Sequence, residues 1–208
     1  AGAGPGDLVT ASHGDDFIQM TADNGKTIFA GTGDDVFLGG TGRENAFMGE
    51  GDDWAEGGDH ADLLMGDNAN QFQADFAGGH DVLIGGPGSD DLDADGGDDI
   101  MVGSPGGTER FHGMIGFDWT TYYGTTSGVD ADLQFTILQP PDVTAIRDRY
   151  LLTEGLSGGS GDDILRGMGL RIDEVNTDGT FIMTEAHLDR ILGLRSLLQP
   201  AGQANHAA

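Results

Sequence analysis

The hydrophobic positions of this chain do not recur every 3.6 residues, as on an amphipathic helix, and do not alternate along long strands. Through the first half they return every nine residues. Phe37, Leu64, Leu83, Leu92 and Met101 occupy one place in that period, each the middle of a three-residue run behind a Gly-rich turn. Gly33, Gly42, Gly51, His60 and Ala69 are successive nines, and after one inserted residue Gly79, Gly88 and Gly97 continue. Two places after each stand Asp35, Glu44, Asp53, Asp62, Gln71, Asp81, Asp90 and Asp99. The fullest copy is Gly85-Gly86-Pro87-Gly88-Ser89-Asp90-Asp91-Leu92-Asp93, and outlying copies fall at Asp16, Asp118 and Asp163. The pattern predicts short strands with the central side chain inward, joined by glycine turns; Ala46, Ala55 and Gln73 fill the inward place in weaker copies.

Two such units make a coil of about 18 residues, and coils stack at the inter-strand spacing of about 4.8 Å. Residues 18 apart therefore share a sheet. The outward flanks of one sheet are Val82, Ile84, Ile100 and Val102, with Val36, Trp54 and Phe72 continuing the bias, whereas the other sheet shows Asp91 and Asp93. One outer face is read as greasy and the other as wet. Exposed apolar faces of this kind mark interfaces, so cover is expected from residues 108–198, from a domain outside this sequence or from a protein partner.

Composition explains what the turns are for. The chain holds 38 Gly and 36 Asp plus Glu against 9 Lys plus Arg, a formal charge of −27. That charge repels nucleic acid phosphates and opposes compaction, and Lys26 is the single lysine. Internal salt bridges cannot neutralise it, which points to a multivalent cation. Glycine lets the turn adopt positive φ and bring carbonyl oxygens close to an ion, and a cage of hard oxygens suits Ca2+. The predicted Ca2+ ligands are Asp35, Asp53, Asp62, Asp81, Asp90 and Asp99 with turn residues Gly33, Gly51, Gly79, Gly86, Gly88 and Gly97, then the outlying Asp16, Asp118 and Asp163. Several ions are expected, fewer than there are turns.

Beyond about Thr108 the repeat dissolves. Val129 to Leu138 alternates as a half-buried strand, Pro140-Pro141 ends it, residues 142–152 read as a short helix or strand, and Thr184 to Leu198 has helical spacing. Residues 174–185 match an EF-hand loop at Asn176, Asp178, Gly179 and Glu185; an Asp-Gly hairpin turn leading into the helix is the other reading. The fold class is all-β, a parallel β-roll over 1–107, a β-rich extension over 108–170, and a turn, short terminal helix and tail over 171–208. No run of 18 apolar residues spans a membrane. The six histidines form no H-E-x-x-H, no G-x-S-x-G or Walker loop occurs, and His60 and His80 read as turn-exposed imidazoles, so no catalytic residue is predicted.

The nonapeptide resembles the hemolysin-type RTX repeat, which implies a Ca2+-binding β-roll in a secreted, extracellular or cell-surface protein. The string Gly51-Asp-Asp-Trp54, Gly66-Asp-Asn68, Gly79-His-Asp-Val82, Gly97-Asp-Asp-Ile-Met101, Gly116-Phe-Asp-Trp119, Pro140-Pro141, Arg147-Asp-Arg149 and Glu154-Gly-Leu-Ser-Gly158 resembles the C-terminal region of bacterial animal-type haem peroxidases that carry RTX repeats. That resemblance implies a large secreted parent with its haem in a domain upstream, some relatives being associated with manganese oxidation. The functions weighed are a structural or interaction module that folds on Ca2+ after export, a part of such a peroxidase, and an adhesion or accessory subunit docking through the apolar sheet.

Overall fold

A strand of only three residues is too short to stand alone, and here each is held by lying parallel to the strand one coil away. The computed structural model describes residues 6–20, 25–67, 78–137 and 147–167. The first sheet is built from β1 (Leu8–Thr10), β3 (Thr27–Thr32), β5 (Asn45–Glu50), β7 (Leu63–Met65), β9 (Asp91–Asp93), β11 (Arg110–His112) and β14 (Arg149–Leu151), in that order. The second holds β2 (Phe17–Gln19), β4 (Val36–Gly40), β6 (Trp54–Gly58), β8 (Val82–Ile84), β10 (Ile100–Val102), β12 (Trp119–Thr121) and β15 (Gly155–Ser157). The chain passes from one sheet to the other at every turn, and all the pairings are parallel, as in Leu8↔Thr27 and Val82↔Ile100. This is the parallel β-roll that the nine-residue period predicts.

The middle residue of each strand points between the sheets. Ile28, Ala46, Leu64, Leu92, Phe111 and Tyr150 from one side meet Ile18, Phe37, Ala55, Leu83 and Met101 from the other in one core. Fully burying a side chain of this size contributes about 1.5–3 kcal/mol, and Met48 adds bulk to the coil whose inward residues are the small Ala46 and Ala55. The composition change near residue 108 does not interrupt the sheets: β11 pairs with β9, and β12 with β10. Beyond β12 a long excursion carries β13 (Asp130–Asp132), which pairs with β16 (Ile164–Arg166) in a separate two-stranded sheet.

Several expectations are corrected. The rung beside Trp54 is Val82, so the place assigned to Phe72 belongs to Val82; ten extra residues between Asp67 and Gly78 lengthen that coil from 18 to 28. Phe72, Gln71 and Gln73 themselves lie outside the described residues, as do Asn176, Asp178 and Glu185 and the helix expected at 184–198. The first sheet is not wet outside: Asp93 and His112 are fully buried, His112 lies 3.1 Å from Asp91, and nearer the N-terminus the same face carries Phe29 stacked on Phe47. The strand expected over Val129 to Leu138 stops at Asp132, whose side chain and carbonyl accept the amides of Gln134 and Phe135 and turn the chain. Residues 149–151 of the ambiguous segment are strand β14. On the second sheet Val82, Ile100 and Val102 form a buried cluster with Trp54 and Ile84 against it, whereas Phe17 at the N-terminal end of that face is 62 % exposed.

Candidate functional site

Stacking the coils aligns the last residue of every turn. Along the edge leading into the second sheet this gives Asp16, Asp35, Asp53, Asp81, Asp99, Asp118 and Glu154. From Asp35 onward each hands one carboxylate oxygen to the backbone of the acid before it: Asp16 N–H donates to Asp35 Oδ1 (2.7 Å), Asp35 to Asp53 (2.7 Å), Asp53 to Asp81 (2.8 Å), Asp81 to Asp99 (2.8 Å), Asp99 to Asp118 (3.1 Å) and Asp118 to Glu154 Oε2 (3.0 Å). The other edge aligns Asp7, Lys26, Glu44, Asp62, Asp90, Glu109 and Asp148, with Glu44 N–H on Asp62 (2.8 Å), Asp62 N–H on Asp90 (2.9 Å) and Glu109 N–H on Asp148 (3.0 Å). Two columns of carboxylates thus run the length of the roll.

The second oxygen of each acid is the informative one. Among the described residues, Oδ2 of Asp35, Asp53, Asp62, Asp81, Asp90, Asp99 and Asp118 is buried with no hydrogen-bond partner. A buried polar atom left without a partner costs about 1–3 kcal/mol, more when charged. These oxygens turn into the glycine turns: a Cβ built on Gly57, Gly66, Gly85 or Gly113 would strike Oδ2 of Asp62, Asp81, Asp90 or Asp118. Glycine therefore leaves room beside each lone oxygen. It also permits the close stacking, because Gly33, Gly51, Gly79, Gly97 and Gly116 each abut the backbone of the turn one coil before, and all but Gly79 have positive φ.

So many acids in one line cannot all stay ionised by themselves. Burial first, then the charges of Asp35, Asp67 and Asp34, push Asp53 up to about 8 against the amide bond from Asp35 that lowers it. Burial and then Glu44 and Asp90 push Asp62 up to about 8, and burial pushes Asp90 to about 6. Asp81, Asp99 and Asp118 rise well above the usual carboxylate range for the same reason, burial, reinforced by neighbouring acids. A line of cations removes the repulsion without protons. No three acidic or imidazole side chains converge on one point among the described residues, so an ion held here would draw its remaining oxygens from turn carbonyls.

Four stretches of the chain, residues 27–43, 49–70, 77–109 and 156–169, match the family model of the RTX calcium-binding nonapeptide repeat. Those four stretches carry calcium-binding nonapeptide repeats. No curated protein and no solved structure matches the chain. The columns fit Ca2+ by their own chemistry: hard oxygen ligands, one free per buried Asp, in turns whose glycines leave space.

Asp35, Asp53, Asp81 and Asp99 come together in the first column beside Gly33, Gly51, Gly79 and Gly97, and Asp16 and Asp118 extend it. Asp62 and Asp90 lie in the second column; Gly86 and Gly88 belong to the turn that precedes Asp90. Asp163 joins neither, because its Oδ1 accepts the amide of Val129 (2.9 Å) in the separate β13/β16 ladder. His80 is buried rather than turn-exposed: it stacks between Asp52 and Asp98, its N–H donating to Asp52 Oδ1 (3.0 Å) and its Nδ1 accepting Asp98 N–H (2.8 Å). His60 is exposed as expected, at a φ of 78° in the glycine place. Sequence reasoning missed Glu109, Glu154 and Asp148; a register tolerating Glu and a 19-residue step would have reached Glu109 from Asp90. It also missed Asp67, whose two oxygens accept Gly79 N–H (3.0 Å) and Gly96 N–H (2.9 Å).

Proposed function

We propose that this chain is the structural module of an exported protein, unfolded where Ca2+ is scarce and folded by Ca2+ outside the cell. The observation that supports this most is the line of buried carboxylates with one oxygen on a backbone amide and the other without a partner. Each ion bound only by the folded form stabilises it by RT ln(1 + [L]/Kd), about 2.7 kcal/mol at a hundredfold excess over Kd. With several independent sites, the transition becomes steep in ion concentration. Circular dichroism in EGTA and in millimolar Ca2+ tests it: the β-signal is expected to appear only with Ca2+, and an identical spectrum in both would refute the reading.

Val82 and Ile100 are buried within this chain, which favours intramolecular cover of the apolar sheet. Its N-terminal rungs, Phe17 and Val36, are where a partner or a preceding domain would dock. The motif string between Gly51 and Gly158 supports a haem peroxidase parent as a second reading; a Soret band in the parent protein, with none in this module, is its expected signature. No helix among the described residues is long and apolar enough to cross a membrane.

A further inference from the structure

The second column departs from its own rule at one rung. Where every other position holds Asp or Glu, Lys26 stands between Asp7 and Glu44: Thr27 N–H donates to Asp7 O (3.2 Å), Asn45 N–H to Lys26 O (2.8 Å) and Leu63 N–H to Glu44 O (3.0 Å). This is the only lysine in the chain. Its side chain is 1 % exposed, and its Nζ lies 3.7 Å from Asp7 Oδ2. Lysine is almost never fully buried unless paired, and its ammonium is a compact point charge on a long flexible stem. Glu44, the next acid along, is itself fully buried. Exchanging a carboxylate for an ammonium changes the charge of a rung by two units, the same change that one Ca2+ would bring.

We propose that the Lys26 ammonium is a resident cation of the second column, taking the place of Ca2+ at its N-terminal step. That step then closes without an ion, and the first step to require one lies further along, between Glu44 and Asp62. The first column has no such residue. At its N-terminal end Asp15 is exposed and Asp16 half-buried. The two edges therefore fill unequally, and once the roll forms the N-terminal step of the second edge holds without an ion.

This inference rests on the calcium reading, and the two fail separately. Bound Ca2+ is counted by equilibrium dialysis on the whole chain and on the Lys26→Asp and Lys26→Gln variants. The expected result is one additional ion in Lys26→Asp and no gain in Lys26→Gln. A Lys26→Asp variant that folds with Ca2+ yet binds the wild-type number overturns the inference, while a wild type that binds no Ca2+ ends the calcium reading itself. Should Lys26→Asp fail to fold, the wild type decides through amine acylation read by peptide mass spectrometry. With Ca2+ bound, Lys26 is expected to react at least about a hundredfold more slowly than in the EGTA-unfolded chain; equal rates overturn the inference.

Discussion

Asp99 uses its two oxygens for different purposes. Oδ1 accepts the Asp81 amide at 2.8 Å, and Oδ2 is buried without a protein partner. Asparagine can keep the first role but not the second, so Asp99→Asn separates them. Without Ca2+ the variant is expected to be more stable than the wild type, because a buried charge beside Asp118 and Asp81 has gone. With Ca2+ it is expected to lose affinity on the order of tenfold, since ligand charge sets the strength of such sites. A β-signal in EGTA above that of the wild type, together with a lower melting temperature in Ca2+, is the expected pair; a lower melting temperature in Ca2+ with no gain in EGTA would mean that Asp99 acts through packing alone. The column positions Asp35, Asp53, Asp62, Asp81, Asp90 and Asp99 were legible in the sequence because the period marks them. His80 was not, since a glycine-flanked imidazole reads as exposed until stacking places it between Asp52 and Asp98. Lys26 was noticed only for its rarity, because a composition does not say which rung a residue occupies.

At the scale of the element, the turns are more exacting than the strands. A Cβ on Gly79 would overlap the carbonyl oxygen of Gly51 in the preceding coil, and there is no flexible side chain to move aside. Gly79→Ala is thus expected to force the two coils apart and to abolish the Ca2+-induced β-signal, or to raise its midpoint concentration severalfold. Leu83→Ala, in the core between the sheets, should cost about 2–5 kcal/mol while leaving the number of bound ions unchanged. An unaltered Ca2+ midpoint for Gly79→Ala would show that the coils can separate without loss. The period made the strands and their inward residues readable. The outer faces were less so, because alternation shows which residues point outward and not what lies against them, as buried Asp93 and His112 show. The break at residue 108 was likewise a change of turn composition, with β11 and β12 carrying both sheets past it.

For the molecule as a whole, pH and Ca2+ act on the same carboxylates. Asp90, Asp53, Asp62 and Glu109 are raised in the folded chain to about 6, 8, 8 and 9, against about 4 for ordinary carboxylates. A folded state with raised values binds more protons than the unfolded one, so its stability is present below about pH 4 and lost as pH climbs through the raised values. In EGTA, where the chain is unfolded at neutral pH, the β-signal is therefore expected to return as pH falls towards 4, protons taking over the neutralisation that Ca2+ provides. In Ca2+ the trend reverses, because protons compete for the same oxygens. Circular dichroism over pH 4 to 9 with EGTA checks this, and a β-signal that grows with pH would contradict it.

The ten extra residues between Asp67 and Gly78 displace neither column: Asp53 still meets Asp81, and Asp62 still meets Asp90. Asp67, before these ten residues, accepts Gly79 N–H after them and Gly96 N–H one coil further on. In a solenoid each unit touches only its neighbours, and added chain length between two fixed ends costs little. The stretch of sequence between Asp67 and Gly78 is consequently a natural splice point, where foreign peptides or whole domains could be grafted and displayed while the coils on either side keep their register.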